Sequence, residues 1–121
     1  MTPSVSGFEI IADLYGIDES LLIDEKYLNN LFSQALNDCG FTIIGKSSHK
    51  FTSGGKGVTG MFLLSESHAT YHSYPEWNAI AINVFSCGQS NPEEVTDIIS
   101  KALSPDKIKT KHLKRNFKPE S

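Results

Sequence analysis

The residues best equipped for chemistry lie in one short run, Ser65-Glu66-Ser67-His68-Ala69-Thr70-Tyr71-His72. It sets a serine hydroxyl directly after an acidic residue, with the His72 imidazole five positions further on. A glycine-bearing apolar stretch, Gly57-Val58-Thr59-Gly60, leads in, and Tyr74-Pro75-Glu76-Trp77 leads out. The Cys87 thiol follows twenty residues after Ser67, within Val84-Phe85-Ser86-Cys87-Gly88. A peptide bond breaks itself when a side-chain oxygen attacks the carbonyl just before it. Here the attacker would be the Ser67 hydroxyl and the target the Glu66 carbonyl. Serine is a poor nucleophile unaided, so the route needs a strained turn, an oxyanion donor and a base for the Ser67 Cα proton. Taken singly, the pieces have plainer readings: a surface turn for Ser-Glu-Ser, a half-exposed strand residue for His72, a small buried apolar side chain for Cys87.

The elements that must position these groups follow from hydrophobic periodicity. Phe8 to Tyr15 reads as a strand stopped by Gly16. Leu28, Leu31, Phe32, Ala35, Leu36 and Cys39 recur at helical spacing, with Asp24 as N-cap and Gly40 as the stop. Phe41 to Lys46 is a second strand, and Ser47 to Gly57 a polar, glycine-rich connection. Val58 to Glu66 and Ala79 to Phe85 are further strands, and His68 to His72 should pair locally with the latter. Asn91-Pro92-Glu93-Glu94 opens a second helix with a good cap, a proline at the first position and acids at the positive end of the dipole. Val95, Ile98, Ile99, Ala102 and Leu103 form its apolar stripe. Ile108 to Leu113 is a last strand before a solvated tail. The expected fold is α+β: a two-layer sandwich, a largely antiparallel sheet with two helices on one face (βαββαβ-like). The other sheet face needs a cover, and dimerisation is the economical way to supply it.

The chain has 121 residues, enough for a single domain spanning 1–121. A net charge of −3 argues against nucleic-acid binding. No apolar stretch is long enough to span a bilayer, and the first residues lack the blocks of a signal peptide, so no membrane partner and a cytoplasmic location are expected. Two cysteines are too few for a disulfide framework. No His, Asp, Glu or Cys cluster stands at ligand spacing, so no metal is expected. Gly54-Gly55-Lys56-Gly57 lacks P-loop spacing and opens no helix.

Taken together, Ser65-Glu66-Ser67-His68, His72, Pro75-Glu76 and Phe85-Ser86-Cys87-Gly88 resemble the short prokaryotic pyruvoyl-dependent S-adenosylmethionine decarboxylase proenzymes. The resemblance extends from Asp13-Leu14-Tyr15-Gly16 to Asn91-Pro92. It implies self-cleavage between Glu66 and Ser67 into 1–66 (β chain) and 67–121 (α chain), with Ser67 converted to a covalent pyruvoyl group. That conversion runs through an N-to-O acyl shift, β-elimination and loss of ammonia. The resemblance assigns His72 as processing base and Thr59 as a processing aid, where the family commonly has serine. The pyruvoyl group would form a Schiff base with the substrate amine and act as electron sink as carbon dioxide leaves. Cys87 is then the proton donor, a thiol whose ordinary pKa near ~8.5 keeps it protonated at neutral pH.

The same resemblance makes Glu76 the ligand of the substrate ribose, with Tyr74 and Phe51 stacking on the base and attracting the sulfonium. The implied product feeds spermidine and other polyamine synthesis, and the implied assembly is a homodimer of cleaved αβ protomers. Three positions depart from the family pattern: the Thr52–Lys56 connection is about two residues longer, Tyr74 replaces tryptophan, and Asn83 replaces a frequent aspartate. Two other functions fit the same residues. One is a pyruvoyl-dependent decarboxylase of a basic amino acid, ornithine or arginine. The other is a non-catalytic partner subunit.

Overall fold

In a computed structural model, residues 6–65, 67–88 and 90–118 are described. Six strands form one sheet: β1 (Ser6–Tyr15), β2 (Ile43–Lys50), β3 (Val58–Leu64), β4 (Ser67–Tyr74), β5 (Ala79–Ser86) and β6 (Lys107–Asn116). Their order across the sheet is β2-β3-β4-β5-β1-β6, and every neighbouring pair is antiparallel. The fold is therefore α+β.

Helix α2 (Glu25–Asp38) and helix α3 (Pro92–Leu103) begin where the sequence signals them. Asp24 accepts from the Tyr27 N–H and Asn91 from the Glu93 N–H, each satisfying a donor that the first helical turn leaves unpaired. A short helix not expected from periodicity, α1 (Glu19–Leu22), precedes α2, with Asp18 accepting from the Ser20 N–H. Its four residues are too few to carry a repeat.

Strand alternation decides where the core sits. Ile10, Ala12 and Leu14 of β1, Ile80, Ile82 and Val84 of β5, and Ala69 and Tyr71 of β4 are all buried, together with Leu28, Phe32 and Leu36 of α2 and Val95 and Ile99 of α3. The residues between them point to the opposite, open face. There Met61, Leu63, Ile11 and Leu113 are exposed by 56%, 59%, 38% and 39%, a spread of apolar surface that the described residues leave uncovered.

Three segments differ from expectation. Strand β2 runs on to Lys50, through residues expected in a loop, because its alternation is masked by serines and lysines on both faces. His68 to His72 belongs to a full strand, β4, that pairs with β3 as well as β5. The basic tail is partly strand, since β6 continues to Asn116 along β1. All ten residues of β6 are exposed and five are Lys or Arg, which suits a sheet edge that must not recruit another strand.

Candidate active site

The register sorts the candidate residues into two groups at opposite ends of β4. Ser67 is the first residue of that strand and lies opposite both Leu64 and Ser86. Residues 65 and 66 alone join β3 to β4; Glu66 lies outside the described residues. Cys87 directly follows Ser86, one residue past the strand partner of Ser67. Ser86 is fully buried and pins this corner: its Oγ accepts from the Gly88 N–H at 3.3 Å and donates to the Ser90 carbonyl at 2.9 Å.

The second group gathers at the far end. Thr59 and His72 are cross-strand partners on the open face, and Thr59 Oγ1 lies 3.0 Å from His72 Nδ1. Together with Phe51, Tyr74 and Glu76 they line an open cavity of about 300 Å³ that Gly54, Gly55 and Gly57 also border. The Glu76 carboxylate lies directly over Gly55, so a Cβ there would have to push it aside. The Tyr74 ring stacks on Trp77 at 5.4 Å, and His49 meets Phe51 edge-on at 4.7 Å. His49, expected in a solvated loop, is thus a strand residue opposite Thr59. Only the extension of β2 reveals that placement.

The two groups do not meet within one chain. Five residues of extended strand separate Ser67 from His72, or about 16 Å at ~3.3 Å per residue. His72 is exposed on the open face at the far end of the strand, while Ser67 is half-buried at its start, beside the 65–66 link. His72 therefore cannot act on the Ser67 of its own chain.

The other cysteine differs from Cys87 in its surroundings. Burial pushes the Cys39 thiol up, and Glu94, Asp38 and Asp97 push it further the same way, leaving a protonated side chain packed against the core. Among the described residues no group of three or more His, Cys, Asp or Glu side chains is arranged to hold a metal ion.

Comparison with known proteins decides the family. The model of the S-adenosylmethionine decarboxylase family matches residues 8–116. The chain belongs to that family. An S-adenosylmethionine decarboxylase proenzyme of Methanococcus maripaludis is 37% identical over 112 residues, covering 92% of this chain and 90% of the relative. A proenzyme of the same name from Clostridium tetani is 33% identical over 112 residues, covering 92% and 87%. The crystal structure of the adenosylmethionine decarboxylase from Aquifex aeolicus superposes with a TM-score of 0.85 at 27% identity, covering 99% of this chain and 98% of that one. Family membership thus spans both ends of β4, the Ser67–Cys87 corner and the Thr59–His72 cavity.

Proposed function

We propose that this chain cuts itself between Glu66 and Ser67 and then decarboxylates S-adenosylmethionine, releasing carbon dioxide and an aminopropyl donor for polyamine synthesis. The observation that carries the reading is the convergence of Phe51, Thr59, His72, Tyr74 and Glu76 on one cavity. Two aromatic rings and a carboxylate suit a nucleoside carrying a sulfonium, each cation–aromatic contact being worth about 0.5–2 kcal/mol. A plain basic amino acid has no ribose to engage Glu76, so the cavity favours the nucleoside.

The residues at the Ser67 corner fit the pyruvoyl group that the family implies. A serine follows a two-residue link between strands, and Cys87 comes directly after Ser86, the partner of that serine at the end of the neighbouring strand. In cleavage, the Ser67 Oγ attacks the preceding carbonyl carbon, the acyl group passes from nitrogen to oxygen, and removal of the Cα proton expels the carboxylate of residue 66. His72 is the base for that proton, and the Thr59 hydroxyl holds its Nδ1 side. When formed, the pyruvoyl group supplies a conjugated carbonyl that withdraws the electrons of the bond to the departing carboxylate. Cys87 holds the proton that the product carbon takes up.

Because His72 lies about 16 Å along the strand from its own Ser67, a second copy must bring its cavity to the Ser67–Cys87 corner. We therefore infer a homodimer packed through the open faces, where Met61 and Leu63 are exposed. Two cysteines without a disulfide suit a reducing, cytoplasmic setting, and no described helix is long and apolar enough to cross a membrane.

Intact mass spectrometry of the purified protein tests the reading. The expected result is two fragments, 1–66 and a pyruvoyl-capped 67–121, with Ser67→Ala staying whole and inactive. Cys87→Ala should still cut but lose about 100-fold or more in carbon dioxide release, the usual size of a lost general acid. A folded wild-type chain that stays whole overturns the proposal.

A further inference from the structure

His68, next to the reactive position and unused above, ends a hydrogen-bonded chain across the open face. Its Nε2 lies 3.0 Å from Asn83 Oδ1, Asn83 Nδ2 donates to Glu9 Oε2 at 2.8 Å, and Arg115 donates to Glu9 Oε1 at 3.1 Å. The His68 ring is held flat against Phe85, centroids 5.4 Å apart. Glu9 is nearly buried, its side chain 16% exposed.

The direction of these bonds is fixed. Asn83 Nδ2 has only acceptors on its side, the Glu9 carboxylate and, at 3.5 Å, the Ile10 carbonyl. Turning the amide over would set its oxygen against a carboxylate, so Oδ1 must face His68. An oxygen there accepts, and Nε2 must carry the proton. Neutral His68 is the Nε2–H tautomer, with a lone pair on Nδ1. Arg115 keeps Glu9 from swinging away, so the polarity of the whole chain is set from the edge strand inward.

We propose that Arg115, Glu9 and Asn83 are a positioning relay that makes His68 Nδ1 the acceptor for the protonated amine of a substrate brought to residue 67. This rests on the function proposed above. The proton passes from the ammonium nitrogen to Nδ1, leaving a neutral amine with its lone pair free and an imidazolium whose other proton Asn83 already holds. No bond to carbon forms or breaks in that transfer, and no electrons change hands.

The relay makes a reciprocal swap its test. Glu9→Gln removes the acceptor that orients Asn83, and Asn83→Asp sets two carboxylates side by side. The double variant restores the polarity. Its amide at position 9 donates to the carboxylate at position 83, that carboxylate accepts from His68, and the total charge is that of the wild type. Turnover of S-adenosylmethionine per cleaved chain should fall about tenfold in each single variant and return to within about threefold of wild type in the double, given the sensitivity of catalysis to small misplacements.

The independent readout is nitrogen NMR of histidine-labelled protein near pH 8.5, about two units above the ordinary imidazole value, with His68 assigned by its loss in His68→Gln. The Nε2–H pattern is expected in the wild type and the double variant, and an Nδ1–H population in Glu9→Gln. A double variant no better than the worse single one, or a wild-type His68 protonated on Nδ1, overturns the relay. If the wild type neither cuts nor releases carbon dioxide, the proposed function falls, and the NMR pattern alone decides the relay.

Discussion

Tyr71 shows how a buried polar group supports the site from the side facing the helices. Its ring stacks on Phe32 with centroids 4.4 Å apart, and its hydroxyl donates to Asn29 Oδ1 at 2.5 Å. Asn29 in turn donates to Ser48 Oγ at 2.8 Å, and Ser48 donates to Glu25 at 2.5 Å. Burial pushes the Tyr71 phenol well above the ordinary tyrosine value, with the Glu25 carboxylate adding to the shift. The group is neutral when protonated, so its raised folded pKa means that stability is full below about pH 10, the unfolded value, and is lost as pH rises above it. Tyr71→Phe should cost about 1 kcal/mol at pH 7 through the unpaired Asn29 oxygen. It should then lose less stability than wild type above about pH 10, as urea titrations at a series of pH values would measure. At this scale the sequence offers residues of reactive type and says little about their partners. Ser67, His72, Cys87 and Glu76 stand out by chemistry and spacing. Nothing in the order of residues links Glu9 to Asn83, or tells that Ser67 and His72 stand at opposite ends of one strand until that strand is recognised.

Among the elements, those with strong local signals were legible and those shaped by pairing were not. Asp24 and Asn91 cap α2 and α3 as their residue types require. Strand β2 is invisible past Lys46 because its pattern there, Ser-Ser-His-Lys, has no apolar face; it persists through pairing with β3 from Lys46 to Lys50. Strand β3 carries a further constraint. The Tyr71 ring lies directly over Gly60, and an added methyl group would collide with it. Gly60→Ala should therefore destabilise the protein by about 1–3 kcal/mol, the usual cost of overpacking a tight core. Thermal melts would register the loss, and an unchanged midpoint would show that Tyr71 can move aside. Since Gly60 adjoins Thr59, the same variant should also slow cleavage.

For the molecule as a whole, the separation of the two residue groups along β4 would make the proposed self-cleavage a property of two chains. The inferred dimer predicts complementation. Ser67→Ala lacks the nucleophile and His72→Ala lacks the base, and neither should cut alone. Mixed dimers contain one composite site with the intact Ser67 of one chain and the intact His72 of the other. Co-expressing the two variants should therefore yield cut protein, with only the His72→Ala chain cleaved, as fragment masses would tell. Absence of any cut chain in verified mixed dimers would count against the open-face arrangement. An open sheet face was legible from the apolar stripe that each helix carries on one side, and Met61 and Leu63 are exposed there. Which residues a cover must deliver was not legible, because that depends on strand register.

The sheet order has a consequence for the pieces that the proposed cleavage would leave. The amino-terminal piece carries β1, β2 and β3, and the carboxy-terminal piece carries β4, β5 and β6. In the sheet, β1 is inserted between β5 and β6, while β3 bonds to β4. The two products are thus interwoven like fingers of clasped hands, and dissociation would require stripping a ten-residue strand from both neighbours at once. The proposed cut would sever the polypeptide without loosening the particle.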